Sequence, residues 1–289
     1  MLDMVTAYVL PVAFLALSPL IGGLLMGVDR KVTARMQNRV GPPIVQPFYD
    51  VVKLWGKKPF ITGAFQPVLA FGYLGFAFLA LAILAFGMDV LLTIFTVAIA
   101  DICLIAAGYN SKSPFSYLGA KRELFSMIAY EPILIMIAIS IYLVTGSFLL
   151  GGVYSLELPL AVLLPGAFVA MAFVLIVELK KSPYDVSASM HAHQELVRGV
   201  FTEFSGYTMA VVEVGHWTKM VLILSFVALF WAPNLLIGAG LAFIFFFAAI
   251  TIDNSYPRLT WQRMIRTVWV AGFALILLNI AGLIVFGVI

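Results

Sequence analysis

"PVLAFGYLGFAFLALAILAFGMDVLLTIFTVAIADICLIAAG", residues 67–108, decides the fold. These 42 residues hold only two charged side chains, Asp89 and Asp101. A helix crossing the hydrocarbon core of a bilayer needs about 20 mostly apolar residues. The stretch supplies two such helices, 67–87 and 90–108, turning tightly at Gly87-Met88-Asp89. Working outward, six further runs meet the same criterion: 6–27, 124–145, 159–178, 204–231, 235–252 and 268–288. The sequence therefore predicts an all-α integral membrane protein of eight transmembrane helices. Composition agrees, with 63% hydrophobic and 11% charged residues against about 25% charged in soluble domains.

Charge placement orients the chain. Sixteen of the 17 lysines and arginines fall in the alternate connections 28–66, 109–123, 179–203 and 253–267; the last, Lys219, lies inside a span. Cytoplasmic loops are enriched in Lys and Arg. These four loops are thus expected in the cytoplasm, and the N- and C-termini outside. With no repeat or soluble segment in the sequence, residues 1–289 read as one polytopic domain of the plasma or inner membrane. No basic region precedes the first apolar run, so no cleavable signal peptide is expected. The single cysteine, Cys103, cannot form an intramolecular disulfide or by itself ligate an iron–sulfur cluster or structural zinc.

The first cytoplasmic loop, "DRKVTARMQNRVGPPIVQPFYDVVKLWGKKPF" (Asp29–Phe60), contains its own periodicity. Phe48, Val51, Val52 and Trp55 recur at i, i+3, i+4 and i+7, which predicts a short amphipathic helix lying in the interface. Arg39, Asp50 and Lys53 are held beside it, close to the membrane surface.

Ionisable side chains within spans mark ion or proton routes by default. Asp101, Glu131, Glu213, His216 and Lys219 are of this kind, and Glu203 opens the sixth span. Glu213, His216 and Lys219 step by three and form one stripe on a helix, which must face helices, a wet cavity or a partner. Burial brings the proton exchange of a carboxyl toward neutral pH, favouring a proton path for Glu131 and Glu213. Glu213 and Lys219 read also as a buried ion pair, or Lys219 as a side chain snorkelling to an interface, and for Lys219 that structural role stands level with a place in an ion route. Asp101 reads also as a hydrogen-bonding group between two helices. "YDVSASMHAHQELVRGVFTEFSG" (184–206) places His191, His193 and Glu195 together. Zinc wants three or four ligands and a supporting shell, so a solvated turn or a relay at a cavity mouth is favoured over a metal.

Together these blocks resemble the quinone-site membrane subunit of respiratory complex I. "DRKVTARMQNRVGPP" with "QPFYDVVKLWGKKPF" looks like the first cytoplasmic loop of that family. "GYNSKSPFSYLGAKRELFSMIAYEP" looks like its third-to-fourth helix connection, and "ELKKSPYDVSASMHAHQELVRGVFTEFSG" like its fifth-to-sixth loop. The segment "RVGPPIVQP" is shorter than in quinone-reactive members, and "SASMHAHQE" stands where they carry an acid-rich run. With "REL…YEP" and "EFSG", these departures set the chain closer to the homologous subunit of energy-converting membrane-bound nickel–iron hydrogenases and their formate- and sulfur-linked relatives.

The resemblance implies a coupling subunit with no redox centre of its own. Iron–sulfur clusters, and a nickel–iron site where present, would belong to peripheral hydrogenase-like partner subunits; antiporter-like membrane subunits and the bilayer would be the other partners. No nucleic-acid partner is implied. Carried over by motif, Glu131, Glu203 and Glu213 would line a proton path, with Glu178, Asp185 and Glu195 at its cytoplasmic mouth. Arg39, Asp50 and Lys53, with the loop of His191 and His193, would dock the peripheral arm. A quinone-binding subunit and a sulfane reductase subunit are the near alternatives. A free-standing transporter would want matching broken helices in two halves, and a lipid-modifying enzyme an Asp-rich metal motif or an activated nucleophile; neither pattern is present.

Overall fold

Apolar runs this long fold as helices because each backbone N–H and C=O must find a partner within the segment when lipid offers none. The computed structural model describes residues 8–185, 187 and 198–285. Its helices in chain order are α1 (Leu10–Met36), α2 (Gln46–Trp55), α3 (Gln66–Ala85), α4 (Val90–Asn110), α5 (Pro114–Thr145), α6 (Leu150–Tyr154), α7 (Leu160–Leu163), α8 (Pro165–Glu178), α9 (Tyr207–Leu229), α10 (Leu235–Ser255) and α11 (Trp261–Val285). A 3₁₀ turn, Gly199–Phe201, precedes α9. Among the described residues, seven helices are long and apolar enough to span: α1, α3, α4, α5, α9, α10 and α11.

The expected span 159–178 differs. It breaks between α7 and α8, and α8 has 14 residues, about 21 Å at 1.5 Å per residue. Pro165 has no N–H to donate, and the residue before a proline is pushed off helical geometry; Leu164 sits at φ −122°, ψ 56°. Neighbours satisfy the interrupted backbone. The Ala161 amide donates to the Phe230 carbonyl at 2.9 Å, and Asn279 Nδ2 donates to the Leu163 carbonyl at 3.3 Å.

Three helices outrun their apolar runs. α1 continues through Asp29, Arg30, Lys31 and Arg35; α5 begins at Pro114 and carries Lys121, Arg122 and Glu123; α11 begins at Trp261 and carries Arg263 and Arg266. Hydropathy marks only the lipid-crossing part of a helix. The hydrogen-bond ladder runs on until a breaker or cap stops it, as Asn234 does at the start of α10 by accepting from the Leu236 and Ile237 amides.

The residues divide into two compact units. The first comprises Met1–Ala82, Thr96–Met127 and Val186–Val221. Within it, Gly22 and Gly23 let α1 lie directly on Trp217 of α9 and Phe48 of α2: β-carbons there would fall 2.5 Å from the Trp217 carbonyl oxygen and 2.5 Å from the Phe48 ring. Phe48 in turn meets Trp217 edge-on at 5.4 Å between ring centroids.

The second unit comprises Ile83–Phe95, Ile128–Asp185 and Leu222–Ile289. Its centre is α8, buried from Val174 to Glu178 and at Ala167, Ala170 and Met171, and packed on α11. The α3–α4 turn pairs there with the next connection, through Val90 to Phe148 and Leu150 to Met88 backbone bonds. On the far side of α8, Ser182 fixes the chain to α10. Its amide donates to Asp253 at 2.8 Å and its hydroxyl to the Tyr256 carbonyl at 2.7 Å, while Lys181 pairs with Asp253 at 3.2 Å.

Tyr184 lies in this fixed stretch, and burial pushes its phenol up to about 12. The neutral phenol is the form the fold accepts, so the folded pKa exceeds the unfolded one of about 10. Its contribution is complete below pH 10 and is lost as pH rises toward 12. Absorbance titration at 295 nm is expected to show a late step to which Tyr184 contributes, and Tyr184→Phe is expected to reduce its amplitude by one tyrosine.

Candidate functional site

In the first unit, a buried ion pair joins α4 to α9. Lys219 Nζ lies 2.5 Å from Asp101 Oδ1, with the two residues 5% and 1% exposed. Lys219 is in a buried ion pair whose counter-charge is Asp101 on α4, a partner the sequence reading did not give it. Glu213 and His216 stand two turns and one turn before Lys219, both half-buried and both engaged in contacts.

Glu203 is half-buried just ahead of α9, and its stretch is stitched to the α2–α3 connection. Gln66 Nε2, itself buried, donates to the Glu203 carbonyl at 2.9 Å. The Phe60 amide donates to Ser205 Oγ at 2.6 Å, and that hydroxyl donates back to the Phe60 carbonyl at 3.2 Å.

Glu123 on α5, which the resemblance does not match to a role, is a buried carboxylate. The Ser187 hydroxyl donates to it, and the Val200 amide donates to the Ser187 carbonyl at 3.3 Å. One turn before Glu123, Gly119 leaves room for the backbone of Gly199 and Val200 against α5. A β-carbon at 119 would lie 2.1 Å from the Val200 nitrogen. Arg198 enters this turn at φ 60°. Glu123 sits beside Lys121 and Arg122 and so reads as a loop charge. Its i−4 partnership with a glycine was the available signal for a buried face.

The docking candidates differ from one another. Arg39 and Lys53 are exposed. Asp50 is held in place by Arg30 at 2.8 Å and Gln46 at 3.0 Å, so it fastens α2 to α1. The helix predicted over 48–55 exists, but its apolar set is split. Phe48 and Val51 are half-buried, whereas Val52 and Trp55, like Tyr49, are exposed. His191, His193 and Glu195 lie outside the described residues.

The second unit holds Glu131, Glu178 and Asp185. Glu178 is buried at the end of α8, and Asp185 is half-buried. Glu131 lines a crevice of about 460 Å³ with Ile128, Pro132, Ile135, Met136 and Phe273. Pro132 cannot donate to the Ile128 carbonyl four residues back. The Trp269 indole of α11 takes that place at 3.1 Å. Among the described residues, no three His, Cys, Asp or Glu side chains gather as a metal site would require.

Comparison with known proteins gives this geometry its relatives. The chain is 28% identical to formate hydrogenlyase subunit 4 of Escherichia coli K12, over 90% of this chain and 94% of that protein. It is 31% identical to hydrogenase-4 component C of the same organism, over 76% and 72%. It is 28% identical to an NADH-quinone oxidoreductase subunit of Ehrlichia ruminantium strain Gardel, over 85% and 80%. A chain in the solved structure of the membrane-bound sulfane sulfur reductase, an archaeal respiratory membrane complex, shares the fold. Its TM-score is 0.81 at 23% identity, over 94% of this chain and 98% of that one. The model of the NADH dehydrogenase family matches residues 8–284. With its apolar helices and a match from end to end of the described residues, the chain is a multi-pass membrane protein and belongs to the NADH dehydrogenase family.

Proposed function

We propose that the chain is the ion-coupling membrane subunit of a complex I-related, membrane-bound hydrogenase. In that role it links electron transfer in a peripheral iron–sulfur and nickel–iron arm to translocation of H⁺ or Na⁺, with its termini outside and its basic connections in the cytoplasm. The observation that carries the reading is α9, where Glu213, His216 and Lys219 follow one another turn by turn and Lys219 is neutralised by Asp101. Such a row within a span is costly and marks an ion route. Glu131 in its crevice, Glu203 ahead of α9, and Glu178 with Asp185 after α8 are the further carboxyls of the proposed route. The two hydrogenase-linked relatives support this over a quinone-binding role, as does the short Gly-Pro segment of the first loop.

The test is made on the assembled complex. Glu131→Gln and Glu213→Gln are each expected to slow ion translocation about ten-fold or more, in the range of a lost proton-transfer group. Electron transfer measured with soluble carriers should survive. Unchanged pumping in both variants would remove the proposal. The quinone-binding alternative, kept alive by the NADH-quinone oxidoreductase relative, predicts instead that the complex reduces a quinone analogue and that Arg39→Ala blocks the reaction.

A further inference from the structure

The exposed face of α2 calls for an occupant. Tyr49, Val52 and Trp55 are 63%, 70% and 61% exposed, while the packed side of the helix is Pro47, Val51 and Leu54, and Phe48, two turns before Trp55, is already spent on Gly23 and Trp217. The helix therefore carries two apolar faces, one packed on the protein and one uncovered. Lys53 stands within the uncovered face, and Lys57 and Lys58 follow directly, all exposed.

The charge here has one sign. The only acids between Asp29 and Gln66 are Asp29 and Asp50. Asp50 is occupied by Arg30 and Gln46, and Asp29 is half-buried. Exposed charge on the same segment comes from Arg35, Arg39, Lys53, Lys57 and Lys58.

We propose that this face of α2 is a binding site for anionic phospholipid. Trp55, Tyr49 and Val52 insert among the acyl chains at the interface, and Lys53, Lys57 and Lys58 hold the phosphodiester headgroups. The choice of occupant follows from the pattern. An aromatic–aliphatic face flanked by lysines, on a helix linking two bilayer-spanning segments, is what lies in an anionic membrane surface. A protein partner would leave three adjacent lysines needing carboxylates of its own beside Trp55. The proposal is independent of the ion-coupling reading and requires only that the chain sits in a bilayer.

The experiment uses the assembled complex, delipidated and then exchanged into mixed micelles of phosphatidylglycerol and phosphatidylcholine, with the retained lipid quantified. Phosphatidylglycerol is expected to be retained in excess. In the variant K53Q/K57Q/K58Q that excess should fall by on the order of ten-fold or more, since each lysine near an anionic surface adds to the attraction. High salt should do the same to the unaltered complex. Independently, brominated phosphatidylcholine should quench a tryptophan component present in the unaltered protein and missing in Trp55→Phe. Retention of the phosphatidylglycerol excess by the triple variant overturns the proposal. If that variant also loses its peripheral subunits, the face is a protein-docking surface. Absence of a quenched component assigned to Trp55 overturns the insertion of the aromatic face.

Discussion

Asp101→Leu is expected to destabilise the protein by about 3–5 kcal/mol, and Lys219→Met by a similar amount. The two groups touch at 2.5 Å and are almost wholly enclosed. Neither could have been buried in a span alone, because a bare charge in a low-dielectric interior loses far more hydration than any neutral contact returns. Removing one partner therefore exposes the survivor to the full penalty. The double replacement Asp101→Leu with Lys219→Met is expected to recover most of the loss, since an apolar pair of similar volume avoids the desolvation cost altogether. Equilibrium unfolding of the four proteins in mixed detergent gives the coupling energy directly. A double variant as unstable as the sum of the singles would mean that the pair contributes packing rather than charge balance. The coupling reading adds a second expectation: the stable double variant, although folded, should pump ions poorly.

Gly119→Leu is expected to have the next largest effect, about 3 kcal/mol, with the 3₁₀ turn 199–201 displaced from α5. The obstruction is backbone, not the flexible end of a side chain. A β-carbon would lie 2.1 Å from the Val200 nitrogen and 2.4 Å from the Gly199 carbonyl carbon, so one or both segments must move. Overpacking of a closed site costs about 1–3 kcal/mol. Here the displaced turn also carries the Val200 amide bond to Ser187, and Ser187 is the donor to the buried Glu123. A buried carboxylate stripped of that donor adds a further penalty. Amide exchange at Val200 should accelerate in Gly119→Leu and change little in Glu123→Gln, which keeps an acceptor for Ser187. Exchange that stays slow in Gly119→Leu would show that the turn is held from elsewhere.

The spans were legible because hydropathy over about 20 residues is a long signal. Pro165 broke one of them, although the residues around it are as apolar as any in the chain. There a single missing N–H outweighs composition. The helical extensions at Pro114–Glu123 and Trp261–Arg266 were hidden because charge was read as loop, when it marks only where lipid ends. The ion pair could not be read from spacing, since Asp101 and Lys219 lie on helices far apart in the chain; each was visible as an anomaly, but the bond between them was not. On α2 the period was right, but one stripe did not mean one neighbour. Phe48 packs on the protein while Trp55, at i+7 on the same side, does not, because it lies about two turns further along the helix, past the groups that Phe48 meets. The burial of Glu123 was not legible because its partner, Ser187, belongs to a segment with no periodicity to place it.

The bond from Trp269 to the Ile128 carbonyl gives α5 a mechanical property. A proline normally leaves a helix free to flex where the ladder is interrupted, so that the rod bends at little cost in either direction. In α5 the vacated carbonyl is grasped by another helix, and flexing at Pro132 means letting go of it. The joint is stiffened from the side: α5 behaves as a rod with a pinned splice, and the compliance that Pro132 would introduce is transferred to whatever loosens α11.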